Sequence, residues 1–152
     1  AVGEVDKSVT NFIQQEAQPN AALNKLVEAA QKRGVAVFAY SALDQDDADV
    51  LMEKLGLHER GVSLLIPEEQ RETFPRADDW LKMLKQVDID TKTVVAVVSS
   101  QLACKGALTA GAAVISIPDE YTHFQDFSGS AFVLDSLSDQ KPDLLLDKTL
   151  RM

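Results

Sequence analysis

Residues 93–118 read TVVAVVSSQLACKGALTAGAAVISIP, and this stretch decides the fold. Its apolar run at 94–98 predicts a parallel strand that is covered on both faces. Ser99 and Ser100 form the tip after that strand, and a helix rich in small residues follows. The helix is expected to end at Gly111, because glycine adopts the left-handed conformation at little cost. Residues 113–117 predict the next strand, which ends before Pro118.

The other segments alternate in the same way between helical and extended patterns. Helices are predicted at 20–34, 44–56, 77–87 and 141–150, and strands at 35–40, 62–66 and 131–134. Strands separated by helices of this size require a parallel sheet with right-handed crossovers. We therefore expect an α/β fold, a three-layer Rossmann-like parallel sheet with helices on both faces, in a single domain over residues 1–152.

The composition limits the partners and the setting of the protein. The chain has 152 residues, a net charge of −9 and a pI near 4.6. Nucleic acids and anionic membranes bind basic surfaces, so we expect neither as a partner. No apolar run approaches the roughly 20 residues of a membrane span, so we also expect no membrane insertion. The single cysteine excludes an internal disulfide. This favours a soluble protein in a reducing compartment, such as the cytosol or an organelle stroma or matrix.

Polar residues follow the predicted strands at their carboxyl ends, where open α/β sheets bind their ligands. If a short first strand ends near Gly3, it adds two acidic residues to that edge. The candidate site residues are Glu4, Asp6, Ser41, Ser99, Ser100, Asp119 and Glu120.

The order of these segments resembles that of the haloacid dehalogenase-like hydrolases over nearly the whole chain. The family opens with Asp-x-Asp-Gly-Thr, where this chain has EVDKSV at 4–9. The second motif is similar to RGVAVFAYS at 33–41, and the helix after it to LMEKLGL at 51–57. The third, Lys-Pro-x-Pro-Asp, corresponds to FPRAD at 74–78. The fourth, Glu-Asp-Ser-x-x-Gly, corresponds to VSSQLA at 98–103.

The resemblance implies an aspartate nucleophile, a second aspartate as acid and base, and Mg²⁺ held by carboxylates. This chain has Glu4 at the nucleophile position, Asp6 at the acid and base position, Ser99 and Ser100 in the fourth motif, and Phe74 in place of the lysine. Because several positions are changed together, we predict a catalytically degenerate domain. Only ten residues separate Val9 from the helix predicted at 20–34, so we also predict that the domain has no cap subdomain. It would need no cofactor and would act as a structural or protein-interaction module. Its partner would be another protein or a second copy of the chain. The domain would then be a subunit of a larger assembly or part of a homo-oligomer.

Two alternatives remain open. The chain could be a weak or altered Mg²⁺-dependent phosphohydrolase that uses Asp6, with Asp119 or Glu120 as substitute metal ligands. It could also bind a phosphorylated ligand without catalysis, at the tips formed by Ser41 and by Ser99 and Ser100.

Two further segments have a structural and a functional interpretation. The acidic cluster Asp44, Asp46, Asp47 and Asp49 predicts a helix start rather than a calcium loop. The segment 119–130 carries Tyr121, Phe124 and Phe127 and is a candidate interface, as is the connection 68–74. The competing interpretation is that these rings cover the edge of the core. Cys104 is expected to be a packed core residue, and His58 and His123 are not spaced for zinc.

Overall fold

A computed structural model of the chain describes residues 21–67, 75–135 and 141–150. The chain divides into two compact units, Ala1–Ile66 and Pro67–Met152. Each unit combines helices with a parallel sheet, so the predicted α/β class is confirmed. No described helix is long and apolar enough to cross a membrane. The first strand predicted near Gly3 lies outside the described residues.

The described part of the first unit contains one pair of strands and two helices. Its elements are α1 (Ala21–Lys32), β1 (Phe38–Tyr40), α2 (Gln45–Lys54) and β2 (Ser63–Leu65). Strands β1 and β2 pair in parallel, with Phe38 opposite Ser63. Helix α1 contributes Val27 and helix α2 contributes Met52 to a buried cluster that also includes Leu57 and Val62. The amphipathic pattern of both helices therefore produces the core of this unit.

Among its described residues, the second unit contains three parallel strands in the order β3-β4-β5. Its elements are α3 (Ala77–Gln86), a 3₁₀ helix (Thr91–Thr93), β3 (Val95–Val98), α4 (Gln101–Ala110), β4 (Ala113–Ser116), β5 (Phe132–Val133) and α5 (Pro142–Leu150). Val98 lies opposite Ser116, and Ser116 lies opposite Val133. The three strands therefore end at the same edge of the sheet.

Helix α4 holds the second unit together by packing against α3, β3 and β4. Close packing on α3 depends on Gly106, because a Cβ atom there would lie 2.7 Å from the backbone oxygen of Pro75. Cys104 and Ala107 on the same helix are fully buried. Gly111 follows the helix with φ of 97°, in the left-handed region, as predicted.

One burial prediction was wrong in part. Strand β3 is not covered on both faces, since Val97 is 40% exposed. On helix α3, Trp80 and Leu84 are buried, whereas Leu81 is 45% exposed. Residues 80, 83 and 84 follow the helical repeat and share one face, whereas Leu81 is rotated about 100° from Trp80 around the helix axis.

Candidate functional site

The carboxyl ends of β3, β4 and β5 form the candidate site. The amide of Ile117 donates to the carbonyl of Val98 at 2.8 Å, and the amide of Leu134 donates to the carbonyl of Ser116 at 2.9 Å. These bonds extend the ladder beyond the strands. They bring the residues that follow each strand to one edge, where parallel α/β sheets bind ligands.

The tip after β3 caps a helix. Ser100 has an extended backbone, and its Oγ accepts a hydrogen bond from the amide of Ala103 at 3.3 Å. The amide of Gln101 donates to Oε1 of Gln125 at 2.8 Å. Two of the amides that could bind an anion at this helix start are therefore already occupied within the protein. Ser99 is exposed.

The segment 119–130 is fastened to helix α4 by polar contacts. The Oε1 atom of Gln101 accepts from the amide of Asp126 at 3.4 Å, which complements the bond from Gln101 to Gln125. Nζ of Lys105 lies 3.1 Å from Oδ2 of Asp126 and donates to the carbonyl of Ser128 at 3.0 Å. Sequence reasoning missed these anchors, because contacts between residues more than 20 positions apart leave no local signal.

Asp119 closes its own turn after β4. Its Oδ1 accepts from the amides of Tyr121 at 2.8 Å and Thr122 at 2.9 Å, and from the Thr122 hydroxyl at 3.0 Å. The Tyr121 amide contributes most to holding the pKa of the Asp119 carboxyl below its usual value, and Thr122 adds to the effect. Asp119 is therefore ionised at neutral pH, and both it and Glu120 are exposed.

The pKa of Asp126 is also lowered, to about 2. The Ser128 hydroxyl contributes most, followed by the Ser128 amide, which donates to Oδ1 at 2.9 Å, and then by Lys105. Each of these donors stabilises the charged carboxylate.

The described residues do not fit the magnesium centre that the fourth motif forms in haloacid dehalogenase-like hydrolases. Ser99 and Ser100 supply neutral hydroxyls there, while Mg²⁺ prefers carboxylate oxygens. Within the described ranges, no group of three or more His, Cys, Asp or Glu side chains could hold a metal ion. Glu4, Asp6 and Phe74 lie outside the described residues.

A wide, shallow pocket of about 740 Å³ lies beside the ends of β4 and β5. Its lining comprises Pro118, Asp119, Glu120, His123, Gln125, Asp126, Phe127, Ser128, Gly129, Ser130, Val133 and Asp135. Four of these side chains are carboxylates, and Ser99 and Ser100 are not among the lining residues. The negative potential of such a pocket favours cationic groups and disfavours a free phosphate.

Two aromatic rings project from the segment beside this pocket. Tyr121 is 74% exposed and Phe124 is 75% exposed. The ring of Phe124 stacks edge-on against that of His123, with 5.9 Å between centroids and an interplanar angle of 84°. Phe127 is only 6% exposed, so its inclusion among the candidate interface rings was wrong. Phe127 covers the core, as the competing interpretation held for all three rings.

Three polar side chains contact one another beneath the segment 119–130. The Oγ atoms of Ser116 and Ser130 are 2.7 Å apart, and Sγ of Cys104 lies 3.3 Å from Oγ of Ser130. Cys104 and Ser116 have no exposed surface. The prediction that Cys104 is a packed core residue is confirmed.

The remaining candidates have local roles. In the first unit, Oγ of Ser41 accepts from the amide of Leu43 at 3.1 Å and thereby closes a turn. Oδ1 of Asp44 accepts from the amide of Asp47 at 2.9 Å, so the acidic cluster begins a helix as predicted.

The two histidines also make local contacts. Nε2 of His58 lies 3.9 Å from Oδ1 of Asp49, and Nδ1 of His123 lies 2.9 Å from the carbonyl oxygen of Glu120.

Solved structures of phosphate-handling enzymes share this architecture. CbbY from Rhodobacter sphaeroides in complex with phosphate is 19% identical, with a TM-score of 0.74 over 86% of this chain and 60% of that chain. A HAD hydrolase of family IA, variant 3, from Entamoeba histolytica is 18% identical, with a TM-score of 0.77 over 97% and 69%. The β-phosphoglucomutase of Clostridium difficile is 11% identical, with a TM-score of 0.73 over 99% and 64%.

By sequence, the chain matches no protein-family model and no curated protein. The chain spans about 60% of the length of CbbY. A haloacid dehalogenase-like hydrolase from Xanthomonas campestris also aligns, at 16% identity and a TM-score of 0.66 over 87% of this chain and 55% of that one. The chain has the fold of the haloacid dehalogenase-like hydrolases, which the sequence motifs predicted.

Proposed function

We propose that this chain is a catalytically degenerate haloacid dehalogenase-like domain that acts as a protein-interaction module. The observation that carries the proposal is that the tip after β3 has two serines and no carboxylate. Ser99 stands where the resemblance implies a metal-binding carboxylate, and the adjacent Ser100 caps helix α4 through its Oγ. A neutral hydroxyl is a poor substitute for a carboxylate toward Mg²⁺.

The loss of that carboxylate is costly for phosphoryl transfer. Catalysis of this reaction depends almost entirely on positioning and on neutralising the charge of the phosphoryl group. Phe74 in the third motif supplies no positive charge either. We therefore propose that the chain has no catalytic residue and needs no cofactor. The proposal also keeps the sequence-based prediction of a single domain without a cap.

A second candidate function is a weak or altered Mg²⁺-dependent phosphohydrolase. One observation favours it: Asp119 and Glu120 are exposed carboxylates at the sheet edge, and Asp119 is ionised with only Oδ1 engaged by its own turn. The matched enzymes, among them CbbY with phosphate, have the same fold. In this candidate, Asp6 acts as the acid and base, and Asp119 or Glu120 replaces the lost metal ligand.

The two candidates differ in one assay. Hydrolysis of para-nitrophenyl phosphate with Mg²⁺ is measured for the wild-type chain and for Asp6→Asn, Asp119→Asn and Glu120→Gln. The interaction module is expected to show the same background rate in all four proteins. Turnover that Asp6→Asn abolishes would overturn the proposal. The exposed carboxylate Asp88, which lies in none of the motifs, is removed in a control variant, Asp88→Asn, which should leave any true activity unchanged.

Magnesium binding gives an independent readout. The thermal unfolding midpoint of the wild-type chain is followed as Mg²⁺ is added. A ligand that binds only the folded state raises the unfolding midpoint. Since the proposed interaction module does not bind Mg²⁺, we expect no shift of its midpoint. A shift that disappears in Asp119→Asn or Glu120→Gln but not in Asp88→Asn would favour the phosphohydrolase.

A further inference from the structure

We propose that a surface of the second unit binds a basic protein segment that carries an apolar or aromatic side chain. This inference rests on the proposed interaction function and assigns it a site and a partner chemistry. We call the site the acidic aromatic surface, and it consists of Asp119, Glu120, Tyr121, His123, Phe124, Asp126 and Asp135.

Exposed rings provide the apolar part of this surface. Tyr121 and Phe124 have the largest exposed fractions, 74% and 75%, among the exposed large hydrophobic residues of the described chain. The ring of Phe124 contacts that of His123 edge-on, and His123 lines the pocket, so Phe124 adjoins the pocket. Aromatic residues that remain in water on a fixed segment are typical of interaction sites.

The carboxylates determine the charge of the partner. Asp119, Glu120, Asp126 and Asp135 all line the pocket, and the pKa values of Asp119 and Asp126 are lowered. Lys105 neutralises part of the charge of Asp126. Complementary potential then selects an arginine- or lysine-rich segment, and an arginine can also stack on the exposed rings.

The same charges argue against a second copy of this chain as the occupant. The whole chain carries a net charge of −9. Two copies that meet through the acidic aromatic surface would place their carboxylates against each other, and like charges at an interface are unfavourable. A basic partner avoids this repulsion.

The segment is ordered before the partner arrives. The contacts of Gln101 with Gln125 and of Lys105 with Asp126 and Ser128 fasten it to helix α4, and Phe127 anchors it in the core. Binding therefore requires little ordering of the backbone. A preorganised surface loses less conformational entropy on association.

Fluorescence anisotropy with a labelled synthetic peptide, Arg-Leu-Arg-Phe-Lys-Leu-Arg, tests the inference. We expect saturable binding that weakens with added salt, and no binding of a matched peptide in which glutamate replaces every basic residue. Phe124→Ala should weaken binding about tenfold, as loss of an aromatic anchor commonly does. Glu120→Lys should weaken it by a similar factor, about tenfold, through lost charge complementarity.

Matched variants at residues that do not belong to the acidic aromatic surface separate specific binding from general attraction to an acidic protein. Leu81→Ala removes another exposed apolar side chain, and Glu53→Lys reverses another exposed charge. Both should bind the peptide like the wild type, and circular dichroism confirms that every variant is folded. Equal weakening by Glu53→Lys and Glu120→Lys, or no effect of Phe124→Ala, would overturn the inference.

Two other outcomes are distinguishable. Self-association in sedimentation, lost in Phe124→Ala, would identify a second copy as the occupant and overturn the basic partner. Absence of both peptide binding and site-dependent phosphatase activity would overturn the surface alone. Phosphatase activity abolished by Asp6→Asn would overturn the proposed function itself.

Discussion

The side chains of Ser116 and Ser130 form a hydrogen bond inside the second unit, with 2.7 Å between their Oγ atoms. Ser116 ends strand β4 and is completely buried, while Ser130 lies at the end of the segment that carries Tyr121 and Phe124. The bond therefore fixes the base of the acidic aromatic surface to the central strand of its sheet.

Substituting both partners of this pair should cost less than the sum of the two single substitutions. Ser130→Ala leaves the buried hydroxyl of Ser116 without this partner, and an unsatisfied buried group costs about 1 to 3 kcal/mol. We expect the double variant Ser116→Ala with Ser130→Ala to be less destabilised than the sum of the two single variants. Urea unfolding measures the free energies, and simple additivity would contradict the coupling.

Gly106 should not tolerate a methyl group. A Cβ atom there would lie 2.7 Å from the backbone oxygen of Pro75 and 3.1 Å from Cδ1 of Trp80. Alanine gains about 1 kcal/mol of helix propensity over glycine, but overpacking typically costs about 1 to 3 kcal/mol. Because the obstacle includes backbone, we expect a net loss of stability in urea unfolding. Thr109→Ala, at an exposed position of the same helix, should not be destabilised.

The two serines of the β3 tip should respond differently to substitution. Ser100→Ala removes the acceptor for the amide of Ala103 and should destabilise the protein by about 1 kcal/mol, as loss of a helix cap does. Ser99→Ala, at the exposed neighbouring position, should change the free energy of unfolding by less than about 0.5 kcal/mol. Equal effects of the two variants in urea unfolding would contradict the capping role.

The architecture was predictable because its signals are local. The apolar run at 94–98, the cap at Ser100 and the left-handed Gly111 each act within a few residues, and the structure has a strand, a helix start and a helix end there. Strand β1 is shorter than predicted, Phe38–Tyr40 instead of 35–40. The apolar pattern begins at Val35, but only residues 38–40 pair with β2.

The surface was only partly predictable because burial depends on distant contacts. Tyr121, Phe124 and Phe127 lie within seven residues and look equivalent in sequence, yet only Phe127 is buried. The difference follows from how the segment is fastened to helix α4, through the pair Gln101 and Gln125 and through Lys105. Gln101 occupies a variable position of the fourth motif, and Gln125 and Lys105 belong to no motif, so no sequence pattern marks them as anchors.

The acidic start of α2 should behave as a helix cap and not as a calcium loop. Asp44→Ala removes the acceptor for the amide of Asp47, and we expect a loss of about 1 kcal/mol in urea unfolding. Ca²⁺ should leave the unfolding midpoint of the wild-type chain unchanged. Asp46→Asn serves as the control for removing one negative charge from the same turn. A calcium-dependent rise in the midpoint that Asp44→Ala abolishes would contradict this role.

Asp126 should stabilise the protein at neutral pH and lose that effect in acid. Its pKa is lowered from 3.8 to about 2 by the Ser128 hydroxyl and amide and by Lys105. A carboxyl group whose pKa is lower in the folded state binds fewer protons there than in the unfolded chain. It therefore contributes stability above the unfolded value, and this contribution declines as the pH falls from about 4 toward about 2.

Asp126→Asn isolates this contribution. Urea unfolding of the wild type and the variant is compared at intervals from neutral pH down to about pH 2, the folded-state pKa. We expect the wild type to be more stable at neutral pH and the two curves to converge below pH 4, because protonated Asp126 no longer attracts Lys105. Glu120→Gln controls for the loss of one exposed negative charge from the same segment. A difference between wild type and Asp126→Asn that stayed constant down to pH 2 would mean that the contacts of Ser128 and Lys105 do not depend on the charge of the carboxylate.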